Sequence, residues 1–215
     1  MPMPKDKSFD SLILDVDGTI WNTTDLVAVA WNFAIVRSGF TAEKVTGAVL
    51  KKEFGRTMDV IACDLWPGLD EGQRKLLMGL CCEEEQRALK SNETDISYPG
   101  VVGCVKELSE RIPVFIVSNC QAGYIELVMS KLGLSSYITD FECYGRTGKG
   151  KADNLRLLKE RNKLVSPVYV GDTQGDADAC AESGIPFIWA SYGFGDVPYF
   201  FAKIDSFTQI KAFFM

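Results

Sequence analysis

Four short strand-like runs, apolar up to their last residue or throughout, punctuate the chain, at positions 12–15, 114–118, 168–171 and 187–190. Each is apolar at odd and even positions alike. That is the pattern of a strand covered on both faces rather than one with a wet side. Helix-compatible segments separate the later runs, at 101–111, 123–132, 151–161 and 176–183. Strands alternating with helices predict an α/β fold with a parallel sheet and right-handed crossovers. Phe141-Glu142-Cys143-Tyr144 fits a further short strand, and 206–215 fits a short amphipathic helix packed back on the core.

One stretch breaks the alternation. Between about Asn22 and Asp95 there is helical patterning without a convincing strand. Thr23 or Thr24 is placed to cap a helix running to Arg37 and stopped by Ser38-Gly39. Further helices are expected from Thr41 to about Gly55, over 58–65, and from about Glu71 to Lys90. The chain returns at Tyr98-Pro99-Gly100. A helical insertion after the first strand is therefore expected as a separate subdomain.

Polar groups sit where the apolar runs end. Asp15-Val16-Asp17-Gly18-Thr19 follows the first run, Ser118-Asn119 closes the second, and Gly171-Asp172-Thr173-Gln174-Gly175-Asp176 closes the third. In open α/β sheets, ligands bind at the carboxyl ends of the strands. Paired carboxylates there, followed by a glycine that lets the chain turn, suit a metal or phosphoryl site. The chain has no histidine, which excludes histidine bases, histidine-ligated metals and Ser-His-Asp triads. Chemistry is left to carboxylates, lysine, cysteine, hydroxyls or a hard cation.

The bulk properties narrow the partners. At 215 residues, with 47% hydrophobic and 24% charged residues, the chain has ample core-forming capacity. A net charge of -6 argues against broad nucleic-acid binding, while one phosphate needs only a few local donors. The apolar runs are too short to span a bilayer. Seven cysteines, an odd number, with no Cys-x-x-Cys pair and a polar stretch from Met1 to Lys7, lead us to expect reduced thiols and a cytoplasmic protein. Oligomeric state is not readable.

Taken in order and spacing, these motifs resemble those of haloacid dehalogenase (HAD)-type phosphohydrolases over nearly the whole chain. Asp15 to Thr19 is similar to the first motif, Ser118-Asn119 to the second, Lys151 (or Lys149) to the third, and Gly171-Asp172 to Asp176 to the fourth. The resemblance implies a Rossmann-like three-layer α/β/α core over 1–20 and 96–215, with an α-helical cap over 21–95. It implies that Asp15 attacks phosphorus to form an aspartyl-phosphate and that Asp17 is the general acid/base. Carbon–halogen hydrolases of this fold lack the second Asp, because a halide leaves without a proton, so Asp17 favours phosphoryl chemistry. Lys151, directly before a helix, is preferred to Lys149 as the cation beside the phosphate.

By the same resemblance Ser118 and Asn119, with Gly18 and Thr19, would hold the phosphoryl group. Mg²⁺ would sit on Asp15, the Asp17 carbonyl and Asp172, an oxygen-only set suited to that ion. Asp176 would assist the metal, pair with the lysine, or cap the following helix. Phe54-Gly55-Arg56-Thr57 resembles a substrate-contacting cap loop, which would put Arg56 on a substrate carboxylate or second phosphate. The implied activity is that of a Mg²⁺-dependent phosphatase for a small phosphorylated metabolite, similar to phosphoglycolate phosphatases. A β-phosphoglucomutase-like mutase is disfavoured by the missing cap histidine. A phosphonatase would need a Schiff-base lysine such as Lys44, Lys51 or Lys52. A non-catalytic protein of this fold would be expected to have lost at least one motif residue.

Overall fold

A computed structural model of the protein describes residues 9–214, so the polar stretch from Met1 to Lys7 lies outside the described residues. Six strands form one sheet: β1 (Ser11–Leu14), β2 (Val114–Ser118), β3 (Asp140–Cys143), β4 (Pro167–Gly171), β5 (Phe187–Ala190) and β6 (Ala202–Ile204). Their order is β3-β2-β1-β4-β5-β6, and every pairing is parallel. The four apolar runs are thus strands, with β1, β2 and β4 side by side at the centre. β1, β2 and β4 are buried along their whole length, as the unbroken apolar runs require.

Alternate residues of each strand feed the two faces. Leu12, Leu14, Val114 and Ile116 join an apolar cluster with α5 (Val101–Ser109), α6 (Tyr124–Leu132) and the C-terminal segment. Ile13, Phe115 and Tyr169 point the other way, into a cluster with α8 (Lys151–Arg161) and α9 (Gln174–Ser183). The result is the three-layer α/β/α sandwich expected from the sequence. Register brings the motifs together. Leu14 lies opposite Ile116 and Val170, and the Asp15 N–H donates to Val170 O at 2.9 Å. Asp15, Ser118 and Asp172 consequently emerge at one edge of the sheet.

Between β1 and α5 run α1 (Thr24–Ser38), α2 (Gly47–Glu53), α3 (Met58–Leu65) and α4 (Glu71–Ser91). They bury a third apolar cluster of their own, including Val27, Trp31, Leu50, Ile61, Trp66 and Cys81. α1 and α4 end close to where the sequence places them, but α2 starts later than Thr41. The Asn32 side chain takes both backbone groups of Val45, donating to its oxygen at 2.7 Å and accepting from its nitrogen at 2.8 Å. Thr46 then caps α2 by accepting from the Val49 N–H at 3.2 Å.

Other local expectations shift. Thr23 stands at the N-cap of α1 without a side-chain capping bond, because its hydroxyl is turned toward Asp17. α9 begins before Asp176, with Thr173 as N-cap and Asp176 closing a capping box. Tyr144 leaves the strand that the sequence suggested and opens the one-turn helix α7 (Tyr144–Thr147). The C-terminal segment is 3₁₀, Phe207–Phe213, with Phe207 and Ile210 buried three apart on one side, as that helix demands. β6 was not foreseen; it is a three-residue edge strand with a lysine at its centre. All seven cysteines are free thiols. Among the described residues no helix is long and apolar enough to cross a membrane.

Candidate active site

Asp15 is the first residue after β1 and is 1% exposed. Its Oδ1 lies 3.0 Å from the Lys151 ammonium, a charge contact, yet is buried without a hydrogen-bond partner. Burial pushes its carboxyl up to about 7 against the pull of Lys151. Lys151 is 4% exposed and bridges Asp15 to Asp176, whose Oδ1 it reaches at 2.5 Å. Those two carboxylates raise its pKa despite the burial that opposes it. Lys149 is exposed, and its backbone carbonyl accepts from the Asn154 amide at 2.9 Å. Packing thus brings Lys151, not Lys149, beside Asp15.

Asp17 sits one turn on, aimed by three donors that all converge on Oδ1: Tyr124 Oη at 2.7 Å, Thr23 Oγ1 at 2.9 Å and Trp21 Nε1 at 3.2 Å. Burial outweighs these bonds and lifts its carboxyl to about 6. Tyr124 and Thr23 lie outside the motifs. Neither carries a sequence signal for this role, since a tyrosine in an apolar helix face and a threonine before a helix are ordinary.

Asp172 is fully buried. It accepts from Phe194 N at 2.7 Å and, weakly, from Thr19 Oγ1 at 3.3 Å. The Thr19 hydroxyl, one of the two donors this residue could offer a phosphoryl group, is directed at this carboxylate. Burial and the neighbouring Asp176 and Asp15 carboxylates hold Asp172 well above the usual carboxylate range. Two glycines make room for it: a Cβ at Gly193 would lie 2.3 Å from its Cβ, and one at Gly18 would lie 2.0 Å from its Oδ2. Gly18 also has φ +80°. Gly18→Ala is therefore expected to cost about 1–2 kcal/mol from the left-handed backbone alone, and more from the clash. A lowered urea midpoint would show it.

Asp176 accepts from Lys151 and Tyr169 at Oδ1, and from Asp172 N, Thr173 N and Thr173 Oγ1 at Oδ2. Against the penalty of burial, the Lys151 charge keeps its pKa low. Of the roles open to it, it is both lysine partner and capping-box member. One oxygen each from Asp15, Asp172 and Asp176 lie within 4.8 Å of one another, but five donors already occupy Asp176. The like-charge crowding of the buried Asp15 and Asp172 carboxylates, at the ends of neighbouring strands, fits a hard cation held by those two residues.

Ser118 ends β2, buried, on a cleft it shares with Asp15, Asp17, Asn119, Tyr124 and Glu85. The cleft is narrow, with a cavity volume of about 30 Å³, room for one or two waters. Its other wall comes from the inserted helices: Asn119 Nδ2 donates to Gly55 O at 2.8 Å, and Gln121 Nε2 to Glu85 Oε1 at 3.0 Å. Arg56 also lines this cleft, exposed, with its guanidinium ion-paired to Glu53 and Asp64.

Glu85 was not singled out from the sequence. Its signal lay in the buried stripe of α4: Met78, Cys81, Glu85 and Leu89 share one helical face, and the carboxylate stands in an apolar position. Burial lifts it to about 7.

A model of the haloacid dehalogenase-like hydrolase family matches residues 9–184. Phosphoglycolate phosphatase from Rhodobacter capsulatus is similar at 20% identity over 193 residues, covering 87% of each chain. Among solved structures, a crystal structure of a predicted phosphoglycolate phosphatase from Haemophilus somnus 129PT superposes with a TM-score of 0.85 at 17% identity, covering 98% of this chain and 100% of that one. A haloacid dehalogenase-like family hydrolase from Streptococcus pneumoniae does so at 0.79 and 14% identity, covering 96% and 99%. At these identities the structures speak for the fold.

Proposed function

The chain belongs to the haloacid dehalogenase-like hydrolase family, and from that premise we propose that it is a Mg²⁺-dependent phosphatase acting on a small phosphorylated metabolite. The observation that carries this reading is the buried Lys151 ammonium set between Asp15 and Asp176, on the cleft where Asp15, Asp17 and Ser118 meet. A carboxylate attacking a phosphate needs its repulsion offset, and this pair supplies a fixed cation at the attacking oxygen. The similarity to phosphoglycolate phosphatase supports the phosphomonoester class.

In this reading Asp15 forms the bond to phosphorus while the ester oxygen leaves with a proton from Asp17. Asp17 then takes a proton from the water that hydrolyses the aspartyl-phosphate. The three donors on Asp17 Oδ1 leave Oδ2 for that proton. Ser118 and the backbone after it hold the phosphoryl oxygens. Asp15 and Asp172, with the Asp17 carbonyl, would hold Mg²⁺, which supplies charge neutralisation and orientation when bound. The helices over 21–95 act as a cap that covers the cleft and excludes water.

Two measurements test this. Phosphate release from a panel of hexose phosphates, glycerol phosphate, nucleoside monophosphates and phosphoglycolate should vanish with EDTA and return with Mg²⁺. Asp17→Asn should lose about 10²–10⁴-fold on an alkyl phosphate. On p-nitrophenyl phosphate, whose leaving group needs no proton, the first step should lose far less, so the variant should release a burst of p-nitrophenolate before slow turnover. Equal losses in that first step on both substrates would remove Asp17 from the acid role.

A further inference from the structure

The inserted helices bring an ionisable group into the cleft that the motif chemistry does not use. Glu85 of α4 is 2% exposed and lines the same cleft as Asp15, Asp17 and Ser118. Its Oε2 accepts from Trp31 Nε1 at 2.8 Å and its Oε1 from Gln121 Nε2 at 3.0 Å. These bonds fix the carboxylate and leave each oxygen a further acceptor site. The two amides beside it face the same way chemically. Asn119 and Gln121 spend their nitrogens on Gly55 O and Glu85, which leaves Asn119 Oδ1 and Gln121 Oε1 buried without a partner.

Beyond the phosphoryl end the lining offers three acceptors, one carboxylate and two amide oxygens, beside the Arg56 guanidinium and the apolar Phe54, Met58 and Ile61. Burial raises the Glu85 pKa most, and the nearby Asp17 carboxyl adds to the rise. Arg56, the cation that a substrate carboxylate would seek, lines the cleft but is exposed and already paired with Glu53 and Asp64. Lys151 is enclosed by Asp15 and Asp176. A ligand carboxylate would meet like charge and unfilled acceptors, whereas hydroxyl or ammonium donors would satisfy them.

We propose that Glu85, with the amide oxygens of Asn119 and Gln121, selects substrates whose non-phosphate end carries hydrogen-bond donors and rejects those ending in a carboxylate, phosphoglycolate among them. The inference rests on the phosphatase reading only for where the phosphoryl group is seated.

Phosphonates test it without turnover, because they carry no ester to hydrolyse. Calorimetric binding of 2-aminoethylphosphonate, 2-hydroxyethylphosphonate and phosphonoacetate to the full chain with Mg²⁺ should rank either donor-bearing compound about 10-fold or more above phosphonoacetate. Glu85→Gln should shrink that ratio several-fold. A preference for the amino over the hydroxy compound would identify an ammonium as the donor, and equal binding would identify a hydroxyl. Phosphonoacetate binding as tightly as the others, binding by none of the three, or an unchanged ratio in a folded Glu85→Gln would each overturn the proposal. If the variant does not fold, the wild-type ranking decides alone. A chain that ranks the phosphonates as expected yet releases phosphate from no ester would instead remove the phosphatase reading.

Discussion

Asp15→Asn should reduce phosphate release by roughly 10⁴- to 10⁶-fold, the loss typical when a covalent nucleophile is removed, while leaving the protein folded. The amide keeps the shape of the side chain but cannot attack phosphorus. Its effect on stability should be opposite in character. Asp15 is one of three buried carboxylates around a single ammonium, and its charge helps to raise Asp172 far above the usual carboxylate range. Removing one negative charge from that cluster relieves repulsion, so without added metal the variant should unfold at a urea concentration equal to or above that of the wild type. Phosphate assays on the preferred ester with Mg²⁺, beside urea melts without it, separate the two effects. A residual rate within tenfold of wild type would show that Asp15 is not the nucleophile. Parallel losses of rate and stability would point to a merely structural role.

The central sheet was legible because its physics leaves a plain trace. Strands covered on both faces are continuous apolar runs, and parallel register carries the residue after each run to the same edge, which is why Asp15, Ser118 and Asp172 meet. Lengths and partners of short elements were less so. β6 is three residues long and pairs only with β5, too little for a periodicity. The start of α2 is set by an Asn32 amide thirteen residues upstream, a contact local patterning does not encode. Within the site, motif spacing located the carboxylates but not their supports. Which of two neighbouring lysines is enclosed depends on how α8 packs on the sheet, and the Tyr124 hydroxyl reaches Asp17 from 107 residues away. Thr19 and Asn119 show the reverse case. Both stand where the motifs put them, while their side chains bond Asp172 and the Gly55 carbonyl. Arg56 was read from its loop alone, and two cap carboxylates, one of them eight residues on, hold its guanidinium.

Lys151→Met is expected to destabilise the protein by about 3–5 kcal/mol near neutral pH, the range for breaking a buried ion pair by removing one partner. That is a large share of an ordinary folding free energy. The methionine fills much of the space, so the cost is electrostatic: Asp15 and Asp176 lose their buried counter-charge. The pH dependence identifies the cause. In the wild type Lys151 keeps Asp176 below the ordinary carboxylate value, so its contribution is present above the unfolded pKa and fades as pH falls through the folded one. Without the lysine, burial and mutual repulsion raise the folded pKa values of both carboxylates above the unfolded values of roughly 4. The native variant then holds more protons than its unfolded chain, and stability falls as pH rises from about 4 through the raised values. Asp15 already behaves in this sense in the wild type, at about 7. The gap between variant and wild type should therefore be small at pH 5 and large at pH 8. Urea midpoints at the two pH values measure it. A gap that is equal at both, or wider at pH 5, would mean that Lys151 supports the fold through packing rather than charge.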